Sequence, residues 1–145
     1  MEEIMKILVP VDGSKSSLNA AKYAAKLAKN LRSKCTVTLA SIHDDIGLGH
    51  VKQFVAQSVI NDYLREVSEK ELKSAQKALD AAGVKHTMVI KRGNVAEEII
   101  NLANKEKFDL IVMGSKGRTG ILDTLMGSVA QKVSAGAKQA VLLVK

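Results

Sequence analysis

Short apolar segments alternate with segments of helical periodicity along the whole chain. An apolar segment without interleaved polar residues is typical of a strand buried on both faces of a sheet, and apolar positions three and four residues apart are typical of one face of a helix. The order βαβαβαβαβ therefore predicts an α/β fold, with helices on both faces of a parallel sheet joined by right-handed crossovers. The strands are predicted at Met5–Val11, Cys35–Ile42, Val84–Lys91, Phe108–Met113 and Ala140–Lys145.

Local signals at the ends of the predicted helices support these assignments. The serines between Ser14 and Ser17 offer side-chain oxygens that cap a helix start, and Asn94 with Glu97 forms a capping pair for the third helix. Gly83 lies where a glycine ends a helix. The helices are predicted at Ser16–Leu31, Val55–Ala82, Val95–Asn104 and around Val129–Ser134.

The buried faces of the two long helices follow from the same spacing. One side of each helix carries charged residues, and the opposite side carries small and apolar ones. The expected core residues are Leu18, Ala21, Ala24, Ala25, Ala28 and Leu31 in the first helix, and Ile60, Leu64, Val67, Leu72, Ala75 and Leu79 in the second.

A length of 145 residues is that of one domain, and we expect a single domain at 1–145. Cys35 is the one cysteine of the chain, so an intramolecular disulfide cannot form. Neither a signal segment nor a run of about eighteen apolar residues is evident. These features predict a cytoplasmic protein that does not span a membrane.

The net charge of +7 raises the question of nucleic-acid binding. The lysines are scattered over the predicted helices, and pairs such as Glu66 and Lys70 have the spacing of solvated helix faces. With two Phe, two Tyr and no Trp, the chain also has few aromatic side chains on which bases could stack. A nucleic-acid partner is therefore not expected.

Ligands of open parallel sheets bind beyond the carboxyl ends of the strands, where the winding direction reverses. Three segments of this chain follow such strand ends. They are PVDGS (Pro10–Ser14), SIHDD (Ser41–Asp45) and GSKGRTGILDTLMGS (Gly114–Ser128).

The third segment has the glycine spacing G-x2-G-x9-G-S. Backbone amides that no Cβ shields, and the positive end of the following helix, favour phosphate oxygens, while basic side chains and a serine hydroxyl add charge and a donor. The alternative is a long glycine-containing connection without a ligand. Neither G-x-x-x-x-G-K-[ST] nor G-x-G-x-x-G is present. The predicted anion cradle consists of Gly114, Lys116, Gly117, Arg118, Gly127 and Ser128.

Two acidic positions raise the question of a metal ion. Asp12, at the end of the first strand, is suited to hold a hydrated Mg²⁺ beside a triphosphate, or else to cap its own turn through the following amides. We favour ligand contact because the glycine-rich segment follows a neighbouring strand end. His43, Asp44 and Asp45 resemble a metal cluster, but adjacent residues of an extended chain point in different directions, so a solvated loop is favoured.

Three stretches resemble the universal stress protein family in its ATP-binding branch. They are ILVPVDGSKSSLNAAKYAAKLA, DLIVMGSKGRTGILDTLMGSVA and the closing VLLVK, and the likeness covers essentially the whole chain. In that family, the G-x2-G-x9-G-[ST] pattern separates members that bind ATP from those that do not. Every fixed position of the pattern matches here.

The resemblance implies a Rossmann-like, three-layer α/β/α fold with a five-stranded parallel sheet in the order 3-2-1-4-5. It also implies an ATP site at the carboxyl edge of strands one and four, and a homodimer joined through the last strands. A terminal strand leaves one row of hydrogen-bonding groups unpaired, which independently favours pairing across a twofold axis.

The resemblance further implies which residues contact the nucleotide. Pro10, Val11 and Asp12 would flank adenine and ribose, with Asp12 also near the phosphates or their Mg²⁺. Ser41 would offer backbone contacts to adenine, and Met113 would pack on the nucleotide. Ribose and phosphates would be held, largely through main-chain groups, by Gly114, Lys116, Gly117, Gly127, Ser128 and Val129.

The chain departs from the family pattern at two places. Ala130 occupies a position where family members commonly have Ser or Thr, which implies one hydroxyl contact to phosphate fewer. Gln139 and Ala140 replace the usual proline before the final strand.

The chemistry of the chain favours binding over turnover. Phosphoryl transfer needs an in-line nucleophile held by an orienting group, and the sequence offers charge at Lys116 and Arg118 but no evident water-positioning residue. We therefore expect a regulatory module whose ATP-bound state alters its shape or its surface for a protein partner, with slow or no hydrolysis. The alternatives are a slow ATPase or nucleotidyl transferase of the same fold class, and an interaction protein with a vacant loop.

Overall fold

The computed structural model describes residues 4–31, 34–44, 53–116 and 126–145. Strands and helices alternate along these residues as the sequence predicts. The helices predicted at Val55–Ala82 and Val129–Ser134 begin and end within two residues of the observed helices. The elements are β1 (Met5–Pro10), α1 (Lys15–Asn30), β2 (Cys35–His43), α2 (Gln57–Ala81), β3 (His86–Arg92), α3 (Val95–Lys105), β4 (Leu110–Gly114), α4 (Ser128–Gly136) and β5 (Ala140–Val144).

The strands form one parallel sheet in the order β3-β2-β1-β4-β5. Alternate residues of β1 point to opposite faces: Ile7 and Val9 pack with α1 and α2, whereas Leu8 packs with α3 and α4. The sheet therefore has a helical layer on each face. This arrangement confirms the predicted α/β/α fold and the strand order 3-2-1-4-5.

The edge strands differ from the prediction that every strand is buried on both faces. β1, β2 and β4 are central, and each contains at least three consecutive buried residues, but Met88 and Ile90 of β3 are 46% and 41% exposed. β5 is only half-buried along most of its length. An edge strand has a neighbour on one side alone, and so its apolar side chains remain partly open to solvent.

The predicted helix ends are confirmed. The Ser14 side chain caps α1 by accepting a hydrogen bond from the Ser17 amide (3.1 Å), and Asn94 accepts one from the Glu97 amide (3.1 Å) at the start of α3. After α2, Gly83 adopts φ +70°, and the amide of the next residue donates back to the Leu79 carbonyl at 3.0 Å. A glycine tolerates this left-handed conformation without a steric penalty.

The buried face of α1 agrees with the prediction in the middle of the helix and differs from it at both ends. Ala21, Ala24 and Ala25 are buried as predicted. Ser16, Ser17 and Ala20 are buried, whereas the predicted core residue Leu31 is 37% exposed and Leu18 is half-buried. Small side chains fit at the start of α1 because this part of the helix lies close to the sheet, next to Gly114 at the end of β4. In α2, Ser68 is buried in place of Val67, in line with the four-residue spacing of Leu64 and Leu72.

None of the helices in the described parts of the chain is both long enough and apolar enough to cross a membrane.

Candidate functional site

A pocket of about 210 Å³ opens at the carboxyl ends of β1 and β4. It lies between the β1–α1 turn and the start of α4, at the edge of the sheet where the sequence predicts a ligand. The sequence-predicted site residues that line it are Pro10, Val11, Asp12, Met113, Gly114, Lys116, Gly127, Ser128 and Val129.

Three predicted site residues are not among those lining residues. Gly117 and Arg118 lie outside the described part of the chain. Ser41 is fully buried in β2, and its side chain points to the α1–α2 face of the sheet because side chains alternate along a strand. Its neighbours Ala40 and Ile42 line the pocket instead. The predicted backbone contact of Ser41 with adenine stays a prediction.

The pocket has an apolar wall that sequence reasoning largely missed. β2 and β4 contribute part of it, and the start of α3 contributes Val95 and Ile99. The sequence feature that could have revealed this wall is the helix cap at Asn94. A helix that begins at this edge of the sheet places its first turn beside the strand ends. We call the following residues the apolar wall: Ala40, Ile42, Val95, Ile99 and Met113.

A polar wall comes from the β1–α1 turn, from the first turn of α1 and from the two segments that flank residues 117–125. Ser17 is the member that the sequence did not single out; its hydroxyl accepts a hydrogen bond from the Asp12 amide (3.3 Å) and donates to the Ser14 carbonyl (3.0 Å). Apolar walls with a few placed polar groups are typical of small-molecule sites. The polar wall consists of Asp12, Ser17, Lys116, Gly127 and Ser128.

Asp12 caps its own turn, which was the alternative role considered for it. Its Oδ1 accepts a hydrogen bond from the Ser14 amide at 2.9 Å, and Gly13 between them has φ +83°. The carboxylate nevertheless lines the pocket, and carboxylate oxygens are ligands that Mg²⁺ prefers. The residue therefore fits a Mg²⁺ ion carried by a phosphate ligand, and this contact stays a prediction.

Gly114 has a structural role in addition to its place in the pocket. A Cβ at this position would lie 2.5 Å from Ser16 Oγ, 2.7 Å from the Ser16 carbonyl carbon and 2.8 Å from the Ser17 nitrogen. Two of these atoms are backbone, and they can shift only if the first turn of α1 moves with them. The first glycine of the G-x2-G-x9-G-S pattern is thus required for the contact between β4 and the first turn of α1.

The start of α4 offers backbone donors to the pocket. Gly127 is the N-cap residue and makes no side-chain capping bond to the first turn, whose residues Ser128, Val129 and Ala130 line the pocket. The Gly127 amide itself donates to the Ser115 carbonyl at 2.7 Å, which joins the two ends of the glycine-rich segment. Uncapped N–H groups and the positive helix end are suited to an anion.

His43 is not part of a solvated loop, which corrects the prediction for this residue. It is the last residue of β2, it is 9% exposed, and its Nε2 lies 3.2 Å from Glu71 Oε2 of α2. Asp44 is exposed, and Asp45 lies outside the described residues. In the parts of the chain that the structure describes, His, Cys, Asp and Glu form no group of three or more that could hold a metal ion.

Comparison with known proteins agrees with this fold. The model of the universal stress protein family matches residues 3–145. The chain belongs to the universal stress protein family. The family that the sequence motifs indicate is therefore confirmed.

Relatives of this universal stress protein occur in archaea and bacteria. Universal stress protein MJ0531 of Methanocaldococcus jannaschii is 38% identical over 142 residues, which cover 97% of this chain and 81% of that protein. Universal stress protein YxiE of Bacillus subtilis is 30% identical over 145 residues, covering 97% and 98% of the two chains.

Two solved structures share the fold over nearly the full length. Protein MJ0577 of Methanocaldococcus jannaschii superposes with a TM-score of 0.83 at 31% identity, covering 97% of this chain and 95% of that one. A universal stress protein in complex with cAMP superposes with a TM-score of 0.72 at 25% identity, covering 99% of both chains.

Proposed function

We propose that this universal stress protein binds an adenine nucleotide, ATP with Mg²⁺, in the pocket at the carboxyl ends of β1 and β4. The observation that carries the proposal is the pairing of the apolar wall with the uncapped first turn of α4 in one pocket. An adenine ring and a phosphate chain require these two surfaces together. The cAMP complex of a relative at 25% identity supports an adenine nucleotide as the ligand class.

The proposed contacts follow the two walls. Pro10, Val11 and Asp12 flank adenine and ribose, Met113 packs on the nucleotide, and Ser41 contributes backbone contacts. Asp12 also serves the Mg²⁺ ion, which when bound would neutralise part of the phosphate charge. The ribose and phosphates are held by Gly114, Lys116, Gly117, Arg118, Gly127, Ser128 and Val129.

The identity of the ligand is tested on purified protein. Mass analysis of small molecules released by denaturation should detect an adenine nucleotide, and calorimetric titration of nucleotide-free protein should give saturable binding of Mg-ATP. Titrations with ADP, AMP and cAMP show how much the phosphate groups contribute to the affinity. A titration with GTP shows whether the site distinguishes adenine from guanine. Absence of heat and of retained nucleotide at millimolar ATP would refute the proposal.

The nucleotide acts as a regulator in this proposal, and its bound state presents a surface to a protein partner. We expect the protein to release phosphate from Mg-ATP at well below about one per second. Hydrolysis requires a residue that orients the attacking water, and we identify no such residue in the polar wall. A coupled phosphate assay on nucleotide-saturated protein measures this rate. Turnover of several per second would instead favour the second candidate, a slow ATPase or nucleotidyl transferase.

The two edges of the sheet suggest how a homodimer forms. β3 carries Lys91 and Arg92, and charged side chains on an edge strand discourage pairing with another chain. β5, in contrast, contains no charged side chain. We therefore place the homodimer at β5, where two equivalent edges can pair across a twofold axis.

A proline in β5 should separate the dimer. The Val144 carbonyl accepts the Ser115 amide at 2.8 Å, so Val144 faces β4, and Leu143, one residue earlier, presents its N–H outward. Leu143→Pro removes this outward donor and leaves the bonds to β4 in place. We expect sedimentation equilibrium at micromolar concentration to shift from dimer to monomer.

The matched control is Ile90→Pro on the opposite edge. Gly93 donates to the His43 carbonyl at 3.0 Å, so by the same alternation the Ile90 amide points away from β2. This variant should remain dimeric. A wild-type protein that is strictly monomeric, or a loss of dimer in Ile90→Pro alone, would contradict the assignment of the interface to β5.

The proposed compartment is the cytoplasm. Cys35 is the one cysteine of the chain and is half-buried at the start of β2. Burial raises the pKa of its thiol, so the thiolate is a smaller fraction at neutral pH and the residue is less reactive. A single thiol of this kind suits a reducing environment.

A further inference from the structure

The hydroxyl of Ser16 joins the pocket to the C-terminal strand. It accepts a hydrogen bond from the Lys116 amide at 3.3 Å and donates one to the Val144 carbonyl at 3.1 Å. The same carbonyl accepts the Ser115 amide at 2.8 Å. Lys116 lines the pocket, whereas no residue of β5 does. Ser16 is therefore a side chain that contacts both Lys116, which lines the pocket, and the end of β5, beside the direct bond from the Ser115 amide to the same carbonyl.

The position of this hydroxyl is tightly constrained. Ser16 is 8% exposed, and its Oγ occupies space that a Cβ on Gly114 would need, since that Cβ would lie only 2.5 Å away. Ser115 in turn accepts the Gly127 amide at 2.7 Å, which ties the network to the start of α4. A displacement of the glycine-rich segment therefore changes the hydrogen bonds to Ser16 and Val144.

We propose that Ser16 is a positioning residue that transmits occupancy of the pocket to the β5 edge. A hydroxyl that accepts one hydrogen bond and donates another strengthens the second when the first is strengthened. A nucleotide that fixes Lys116 therefore orders Val144 through one side chain. Because such coupling is reciprocal, ordering of β5 also raises affinity for the nucleotide. The inference rests on the proposed function, since it requires a ligand in the pocket.

Residue-by-residue amide hydrogen exchange of the full chain, with and without saturating Mg-ATP, tests the inference. In the wild type, the ligand should slow exchange at residues 127–130, which line the pocket, and also at Leu142 and Val144 of β5. We expect the effect at β5 to be about fivefold or more, the lower end of measured coupling between sites.

Ser16→Ala removes both hydrogen bonds and keeps the side chain small. Saturated with Mg-ATP, this variant should retain the slowed exchange at residues 127–130 and lose it at Leu142 and Val144. Its affinity for Mg-ATP should fall by a similar factor, about fivefold or more, because coupling between two sites is reciprocal.

Asn19→Ala is the matched control. The Asn19 side-chain amide donates to the Lys145 carbonyl at 3.0 Å, so this residue contacts the end of the chain next to β5, and it does not line the pocket. If Ser16 merely stabilises the end of the sheet, both variants should behave alike. If Ser16 transmits occupancy, Asn19→Ala should keep the protection of β5 by the nucleotide.

The outcomes separate the two proposals. No slowing at residues 127–130 in the wild type would overturn the proposed nucleotide site itself. Slowing there without any at β5 would overturn the inference and leave the site standing. Protection of β5 that persists in Ser16→Ala would also overturn it. Should Ser16→Ala fail to fold, the wild-type experiment alone still decides whether β5 responds to the ligand.

Discussion

Gly114→Ala is expected to destabilise the protein by about 2–3 kcal/mol and to weaken nucleotide binding with it. The added Cβ would lie 2.7 Å from the Ser16 carbonyl carbon and 2.8 Å from the Ser17 nitrogen, so the first turn of α1 must move away from β4. Forcing an extra carbon into a close-packed contact typically costs this much. Urea denaturation followed by circular dichroism measures the change in the free energy of unfolding.

Gly136→Ala is the control for the general effect of adding a methyl group to a glycine. The added Cβ there would meet only Ile100 Cδ1, the end of a flexible side chain, at 2.9 Å, and Gly136 is the last residue of α4. We expect its stability to stay within about 1 kcal/mol of the wild type. Equal losses in the two variants would show that the contact with α1 does not require Gly114.

Gly127→Val, alone or together with Gly117→Val, is expected to lower the affinity for Mg-ATP by at least about 100-fold, close to 3 kcal/mol, with the helix content unchanged. Gly127 has φ −62° and ψ 153°, a conformation that valine adopts readily, so the fold should tolerate the change. The new side chain would instead occupy the pocket in front of the first turn of α4. Calorimetry measures the affinity, and circular dichroism measures the helix content.

Met126→Val is the matched control for this prediction. It places the same side chain one residue earlier, at an exposed position that does not line the pocket. Its affinity for Mg-ATP should be close to that of the wild type. Unchanged affinity in both Gly127→Val and the double variant would show that the start of α4 does not hold the phosphates.

These two glycines of one motif thus have different physical roles. Gly114 allows two secondary-structure elements to approach each other, and its loss is expected to appear first in stability. Gly127 leaves the amides at a helix start uncovered, and its loss is expected to appear first in affinity. A comparison of the two variants in both assays separates the structural role of the glycine-rich segment from its ligand-binding role.

The polar wall could be predicted from the sequence better than the apolar wall. Asp12, Lys116 and Gly127 belong to short segments whose composition marks them as strand ends and predicts a phosphate-binding loop. The sequence around Val95 and Ile99 contains no such signal, because an apolar residue near the start of a helix can belong to the hydrophobic core as readily as to a ligand pocket. Only the packing of α3 beside β2 places them in the pocket.

His43 shows the same limit for two polar side chains that meet in the tertiary structure. The sequence predicts that the strand ends at Ile42 and that His43 begins a solvated loop with Asp44 and Asp45, yet the strand continues through His43. Its partner Glu71 lies 28 positions later, in the middle of a helix whose other charged residues are largely solvated. Nothing local to either residue indicates that they meet.

The sequence by itself determined the order of strands and helices, the caps at Ser14, Asn94 and Gly83, and the family, because periodicity, capping and motifs depend on residues close together in the chain. Tertiary structure decided that Ser16 and Ser17, and not Leu31, belong to the buried face of α1, that Gly114 must lack a side chain, and which residues close the pocket. Ser16 and Lys116 are 100 positions apart in the chain and share a hydrogen bond. Such contacts arise from the packing of whole elements, and no local pattern encodes them.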